Sequence, residues 1–96
     1  IKALLDHTEI SLSNVAFIEL MEAYAAQAII CTRLCDLDLD KVNIRGGALS
    51  RGHPIGASGA ILVVRLFNEL INTPGAIGMA AIAAAGGIGS AMMLKS

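Results

Sequence analysis

The stretch from Ile55 to Asn72 constrains the fold of this chain more than any other. Its polar residues Arg65, Asn68, Glu69 and Asn72 fall at i, i+3, i+4 and i+7, which is one narrow stripe of a helix. The residues around them, Ile61, Leu62, Val63, Val64, Leu66, Phe67, Leu70 and Ile71, are all apolar. A helix wet on one stripe alone is buried on most sides, as if layered between sheets. Thr73-Pro74-Gly75 stops it. The segments Ala76 to Ala84 and Ile88 to Leu94 then read as two central strands. Upstream, Ile1 to His7 reads as the end of an amphipathic helix and Ser11 to Asn14 as a largely polar turn. Val15 to Leu20 reads as a short apolar strand and Glu22 to Leu34 as an alanine-rich helix. Strands alternating with helices indicate an α/β sheet covered on both faces.

Size and composition bear on whether such a layer stands alone. The 96 residues make one small domain, and no internal repeat or low-complexity linker divides them. A domain of this size buries only about two-thirds of its unfolded surface. Yet 55% of the residues are hydrophobic and only 16% are charged, against about half and about a quarter in ordinary domains. We infer that part of the surface is covered by another domain or subunit. A net charge of -1 and an aromatic content of 3% argue against nucleic-acid binding through a basic patch or base stacking. Ala76 to Leu94 is uncharged over a length that could span a bilayer. Gly86, Gly87 and Gly89 interrupt it, however, so two buried strands joined by a tight turn explain it better. The chain opens at Ile1 without a basic-then-apolar leader and in what reads as mid-helix, so residues are expected upstream. Cysteine usage fits a reducing compartment.

The residues that could carry chemistry lie in two glycine-rich loops. Asn43 to Ala60 presents His53 between Gly52 and Pro54, just before the long helix. Histidine exchanges a proton near neutral pH. The helix start supplies free N–H groups and the positive end of a dipole, where a developing negative charge could sit. The bland alternative is a turn histidine packed under the loop. Ser58 could contact a ligand or cap the helix. Glu22 could orient a catalytic group, or could be an acid in a first helical turn. The second loop, Ala83-Ala84-Ala85-Gly86-Gly87-Ile88-Gly89, is either a hairpin turn or a set of N–H groups aimed at an oxyanion. Cys31, Cys35 and His7 would need a fourth partner to bind a metal, so the cysteines read as small core residues, and Met92 and Met93 likewise. Asp36, Asp38 and Asp40 alternate as in a calcium loop, but Lys41 and Gly47 stand where that loop needs glycine and an acid. Asp36 to Lys41 is therefore read as a solvated connection.

Three blocks together resemble the C-terminal domain of the thiolases, the condensing enzymes that make or cleave 3-oxoacyl-CoA. Phe17 to Gln27 is similar to the family's NEAFAAQ block, Gly46 to Gly59 to its GGAIALGHPIGASG block, and Ala83 to Gly89 to its CxGGGxG block. The resemblance implies a mixed sheet with helices on both faces and, for the whole chain, a single domain whose first part is truncated. It implies that His53 activates a nucleophilic cysteine and helps bind the thioester oxygen. That cysteine belongs to an N-terminal half outside this chain. The asparagine that holds an oxyanion water falls at Met21, and the acid/base cysteine falls at Ala83. A glycine whose N–H lies in the second oxyanion hole falls at Ala85, and a serine beside the CoA tail falls at Ser58.

These departures are chemical. Alanine cannot move a proton and methionine cannot hold the water, whereas Ala85 keeps its N–H. Losing a general acid/base costs ~10²–10⁴ in rate, and an oxyanion donor about as much. The expectation is a thiolase-like domain that builds an acyl-CoA pocket with an N-terminal half or partner subunit, as an oligomer, and is inactive alone. The coenzyme A thioester is its substrate, with no covalently bound cofactor, no metal, and a cytoplasmic or organelle-matrix location. One alternative is a non-catalytic structural or acyl-CoA-binding subunit. Another is a ketoacyl synthase, which the Pro54 and Ser58 combination and the last glycine block disfavour.

Overall fold

A computed structural model describes residues 1–96. Helix α1 (Lys2–Thr8) leads through a 3₁₀ turn at Leu12–Asn14 into strand β1 (Val15–Leu20). Helix α2 (Ala25–Leu34), a second 3₁₀ turn at Leu39–Lys41 and the short helix α3 (Ala48–Arg51) come before the long helix α4 (Ile55–Ile71). Strands β2 (Ile77–Ala84) and β3 (Ile88–Lys95) follow. β1 pairs with β2 in parallel and β2 with β3 antiparallel, in the order β1-β2-β3. The sheet is mixed, as the resemblance implies. A parallel pair joined through a helix puts the start of that helix at the carboxyl ends of both strands. His53, Met21 and the turn after Ala84 are therefore brought to one end of the sheet.

Alternation along the strands divides the core into two layers. Val15, Ile18, Leu20, Met79 and Ala81 face one side, where Leu4 of α1 and Ala28 and Cys31 of α2 pack on them. Met21 and Ala80 face the other side and meet Leu62, Leu66 and Leu70 of α4. Both faces of the sheet carry helices, as expected. Gly78 has a packing reason: a Cβ there would overlap the Leu66 side chain, so glycine lets α4 lie close on β2. Between Ala84 and Ile88 the chain reverses through Ala85, Gly86 and Gly87. Gly86 (φ 85°) and Gly87 (φ 74°) both take the left-handed conformation, which explains two glycines in succession. No helix is long and apolar enough to cross a membrane.

Four expectations are corrected. β2 is central, but β3 is an edge strand in this chain, and Met92 on it is 38% exposed instead of buried in the core. The helix expected from Glu22 begins at Ala25, because the segment from Met21 to Tyr24 stays extended or turns while Glu22 bonds elsewhere. The polar stripe of α4 is not a wet one. Asn68 and Asn72 are exposed, but Glu69 is buried and Arg65 turns inward, each with an ion partner. Beside Asn68 and Asn72, the surface that α4 leaves uncovered is apolar and runs through Gly56, Ala60, Val64, Phe67 and Ile71. Finally, the first glycine loop contains helix α3, one turn too short for a periodic signal.

Candidate functional site

His53 sits between Gly52 and Pro54 at the mouth of α4 and is half-buried. Pro54 sets the start of the helix, and its carbonyl accepts from the N–H groups of Ala57 (2.8 Å) and Ser58 (2.9 Å). The Ser58 side chain is buried, 3% exposed. Its Oγ donates to the Pro54 carbonyl at 3.0 Å and lies 2.6 Å from His53 Nδ1. A hydroxyl has one proton to give. With that proton on Pro54, Oγ accepts from Nδ1–H, and a neutral ring then keeps a free lone pair on Nε2. A neutral imidazole with bare Nε2 is a proton acceptor. Ser58 is thus not the helix cap, a place taken by Pro54 without any side-chain bond. Its hydroxyl is turned inward on His53. Ser58→Ala is expected to release Nδ1 and move His53 toward the Nε2–H tautomer, at about 1 kcal/mol of stability. Nitrogen-15 NMR of the imidazole reads both forms.

The loop leading to His53 is tied down at four points. Asn43 takes a left-handed conformation (φ 48°), which asparagine tolerates. Its side-chain amide continues the sheet beyond the Ile18–Val42 bridge: Oδ1 accepts from Leu20 N–H and Nδ2 donates to Leu20 O, both at 2.9 Å. Nδ2 also donates to Glu22 Oε1 at 2.7 Å, while Glu22 Oε2 accepts the Leu49 N–H at 3.0 Å in the first turn of α3. Arg65 on α4 reaches across to buried Glu19 (2.9 Å) and donates to Gly46 O (2.7 Å). Arg45 pairs with buried Glu69, whose carboxylate bonds the guanidinium and holds it above its usual pKa.

Met21 is 1% exposed and packs with Ala48, Leu62 and Leu66 beneath this loop. Its side chain is a buried part of the core under α4. Ala83 is exposed and lies opposite Gly89, on a groove of about 550 Å³ between α1, α2 and the ends of the strands. Leu20, His7, Cys31 and Cys35 share that groove. Both thiols are free, and no three His, Cys, Asp or Glu side chains gather closely enough to hold a metal. Ala85 opens the hairpin turn. Its N–H and those of Gly86 and Gly87 make no bond within the chain, which leaves them available to an anionic oxygen. The turn is therefore a hairpin in form, with free donors at its tip. Glu19 was the legible signal that sequence reading missed: an acid inside an apolar strand needs a buried cation, and Arg65 is the lone cation of α4.

The likeness to known proteins runs the length of the chain. The family described as "Thiolase, C-terminal domain" matches residues 1–96. A β-ketoadipyl-CoA thiolase of Acinetobacter baylyi is 42% identical over 98 residues, covering 99% of this chain and 24% of that protein. An acetyl-CoA acetyltransferase of Candida albicans is 38% identical over 89 residues, covering 93% and 22% respectively. Among solved structures, a thiolase from Ascaris suum in complex with coenzyme A superposes with a TM-score of 0.92 at 38% identity, covering 98% of this chain and 24% of that one. The peroxisomal 3-ketoacyl-CoA thiolase of Saccharomyces cerevisiae, described as five layers built from two core domains of identical topology, superposes with a TM-score of 0.90 at 36% identity. It covers 96% of this chain and 26% of that one. The chain therefore spans about a quarter of the length of these relatives. The mixed three-stranded sheet, the helix on each face and the match from Ile1 to Ser96 agree: the chain belongs to the thiolase family, as its C-terminal domain.

Proposed function

We propose that this chain supplies half of an acyl-CoA thioester site, with the binding groups of the thiolase type in place and those for Claisen chemistry absent. The observation that carries this is the His53–Ser58 pair at 2.6 Å, set at the carboxyl ends of β1 and β2. The unbonded N–H groups of Ala85, Gly86 and Gly87 support a second place for a thioester oxygen. Against these stand Met21, sealed in the core, and Ala83, a methyl group. Neither can hold a water or move a substrate proton. His53 would then polarise or deprotonate a group brought by an N-terminal half, and no carbon–carbon bond would be made or cleaved by the chain alone.

A second reading, a non-catalytic structural or acyl-CoA-binding subunit, is favoured by the apolar face of α4. Phe67 and Ile71 are 55% and 54% exposed there. The yeast relative's five layers offer a covering for such a face in a second core domain. In both readings the working unit is an oligomer or a longer chain, in the cytoplasm or an organelle matrix. Calorimetry with coenzyme A and acetyl-CoA on the assembled protein is the test. Saturable binding that weakens about tenfold in His53→Ala supports the thioester site. Binding that is absent altogether leaves the scaffold reading and overturns the first.

A further inference from the structure

The Glu22 carboxylate occupies an unusual position for an acid that touches no cation. It lies at the end of β1, and both its oxygens are engaged by the loop that leads to His53. One accepts from Asn43, the residue that turns the chain away from the sheet, and the other accepts the backbone N–H of Leu49 in the first turn of α3. Gly47, between them, is shaped to the carboxylate: a Cβ there would overlap all three of its terminal atoms. Yet the backbone of Gly47 (φ -106°) is one any residue adopts, so the glycine answers to Glu22 and not to the turn. From α3 the connection to the histidine is short. Gly52 N–H donates to Ala48 O at 2.7 Å, and His53 is the next residue.

We propose that Glu22 is a positioning residue for His53. It pins both ends of the 43–49 loop to strand β1 and so fixes the angle at which α3 delivers His53 to the Ser58 hydroxyl. This inference rests on the reading of His53 as a base with Nδ1–H held by Ser58. The argument is one of charge and geometry. A carboxylate that accepts two N–H donors acts on both at once, and such charge-assisted bonds are stronger than neutral ones. An amide in its place accepts one donor and presents an N–H₂ to the other, so one anchor opens.

The experiment uses the full chain with nitrogen-15 histidine, comparing wild type, Glu22→Gln and Gly47→Ala. In Glu22→Gln, hydrogen-exchange protection of the Leu49 amide is expected to fall ~10-fold or more. With it, the His53 imidazole should move from one Nδ1–H form toward the mixed tautomers of a free ring. Gly47→Ala, which displaces the carboxylate without removing it, should do the same. Adding Gly47→Ala to Glu22→Ala should then change little further. A merely structural Glu22 would loosen Leu49 and leave the tautomer alone, and that result overturns the proposal. So does a chain that unfolds in both single variants, since holding the fold together would then be its role. A wild-type His53 that is not in the Nδ1–H form instead overturns the reading on which the proposal rests.

Discussion

Replacing Arg65 by methionine is expected to destabilise this domain by about 3–5 kcal/mol, the range for removing one partner of a buried ion pair. Glu19 is 2% exposed, and Arg65 is its only cationic partner at 2.9 Å. The same guanidinium also satisfies the Gly46 carbonyl. Methionine keeps the bulk of the side chain but leaves a carboxylate in the core between β1 and α4 with no counter-charge. Most of the loss comes from that stranded charge and not from the missing attraction. Removing both ends, in Glu19→Leu with Arg65→Met, should therefore recover most of the stability. Urea unfolding of the two variants measures this directly. A single variant as stable as wild type would show that Glu19 is solvated or protonated in the fold. The pair has a further consequence for the site, because Arg65 is one of four ties on the loop before His53. Its loss should also raise amide exchange between Gly46 and Gly52.

The long-range outline of the fold is legible in the sequence because hydrophobic period and glycine punctuation act locally. Val15–Leu20 is recovered as a strand with the expected bounds, and Ile55–Ile71 as a helix within a residue. The reversal at Gly86-Gly87 is recovered as a hairpin. What escaped depends on contacts between distant segments. The polar stripe of α4 reads as wet only if Arg65 and Glu69 have no partners. Glu19 and Arg45, 46 and 24 positions away, turn it inward. Glu22 reads as a helical residue because an acid suits a first turn, but Asn43 and Leu49 outbid the helix for its carboxylate. Helix α3 has four residues, too few for any period to register. His53 and Ser58 are visible as a motif, but the 2.6 Å approach of Oγ to Nδ1 depends on how the turn at Pro54 brings the two side chains together. That is a fact of three-dimensional geometry. Ser58 is the clearest case: by sequence it is a cap or a ligand contact, and in the fold its Oγ lies 2.6 Å from His53 Nδ1 while Pro54 holds the cap position.

Exposure tells a consistent story about what surrounds the domain. The apolar content of the sequence led to the inference of a covered surface. The fold places part of it on α4, from Gly56 to Ile71, where Val64, Phe67 and Ile71 are exposed. That face lies opposite the one that packs on β1 and β2. Covering it would enclose α4 between two layers, the arrangement its composition implies.

The most direct test of a thioester site without Claisen chemistry is acetoacetyl-CoA thiolysis, measured on the protein assembled with a thiolase N-terminal half. Wild type should bind acyl-CoA yet show no turnover above the uncatalysed background. Met21→Asn with Ala83→Cys returns a water-holding amide and a thiol acid/base to the two positions that lack them. Each such group is worth ~10²–10⁴ in rate, so the double variant should gain at least ~10²-fold while binding is unchanged. Met21 is a core residue, so the asparagine will cost stability. Ligand binding by the same sample shows that the fold survives. Turnover by wild type at the ~10 s⁻¹ of an ordinary enzyme would contradict the account.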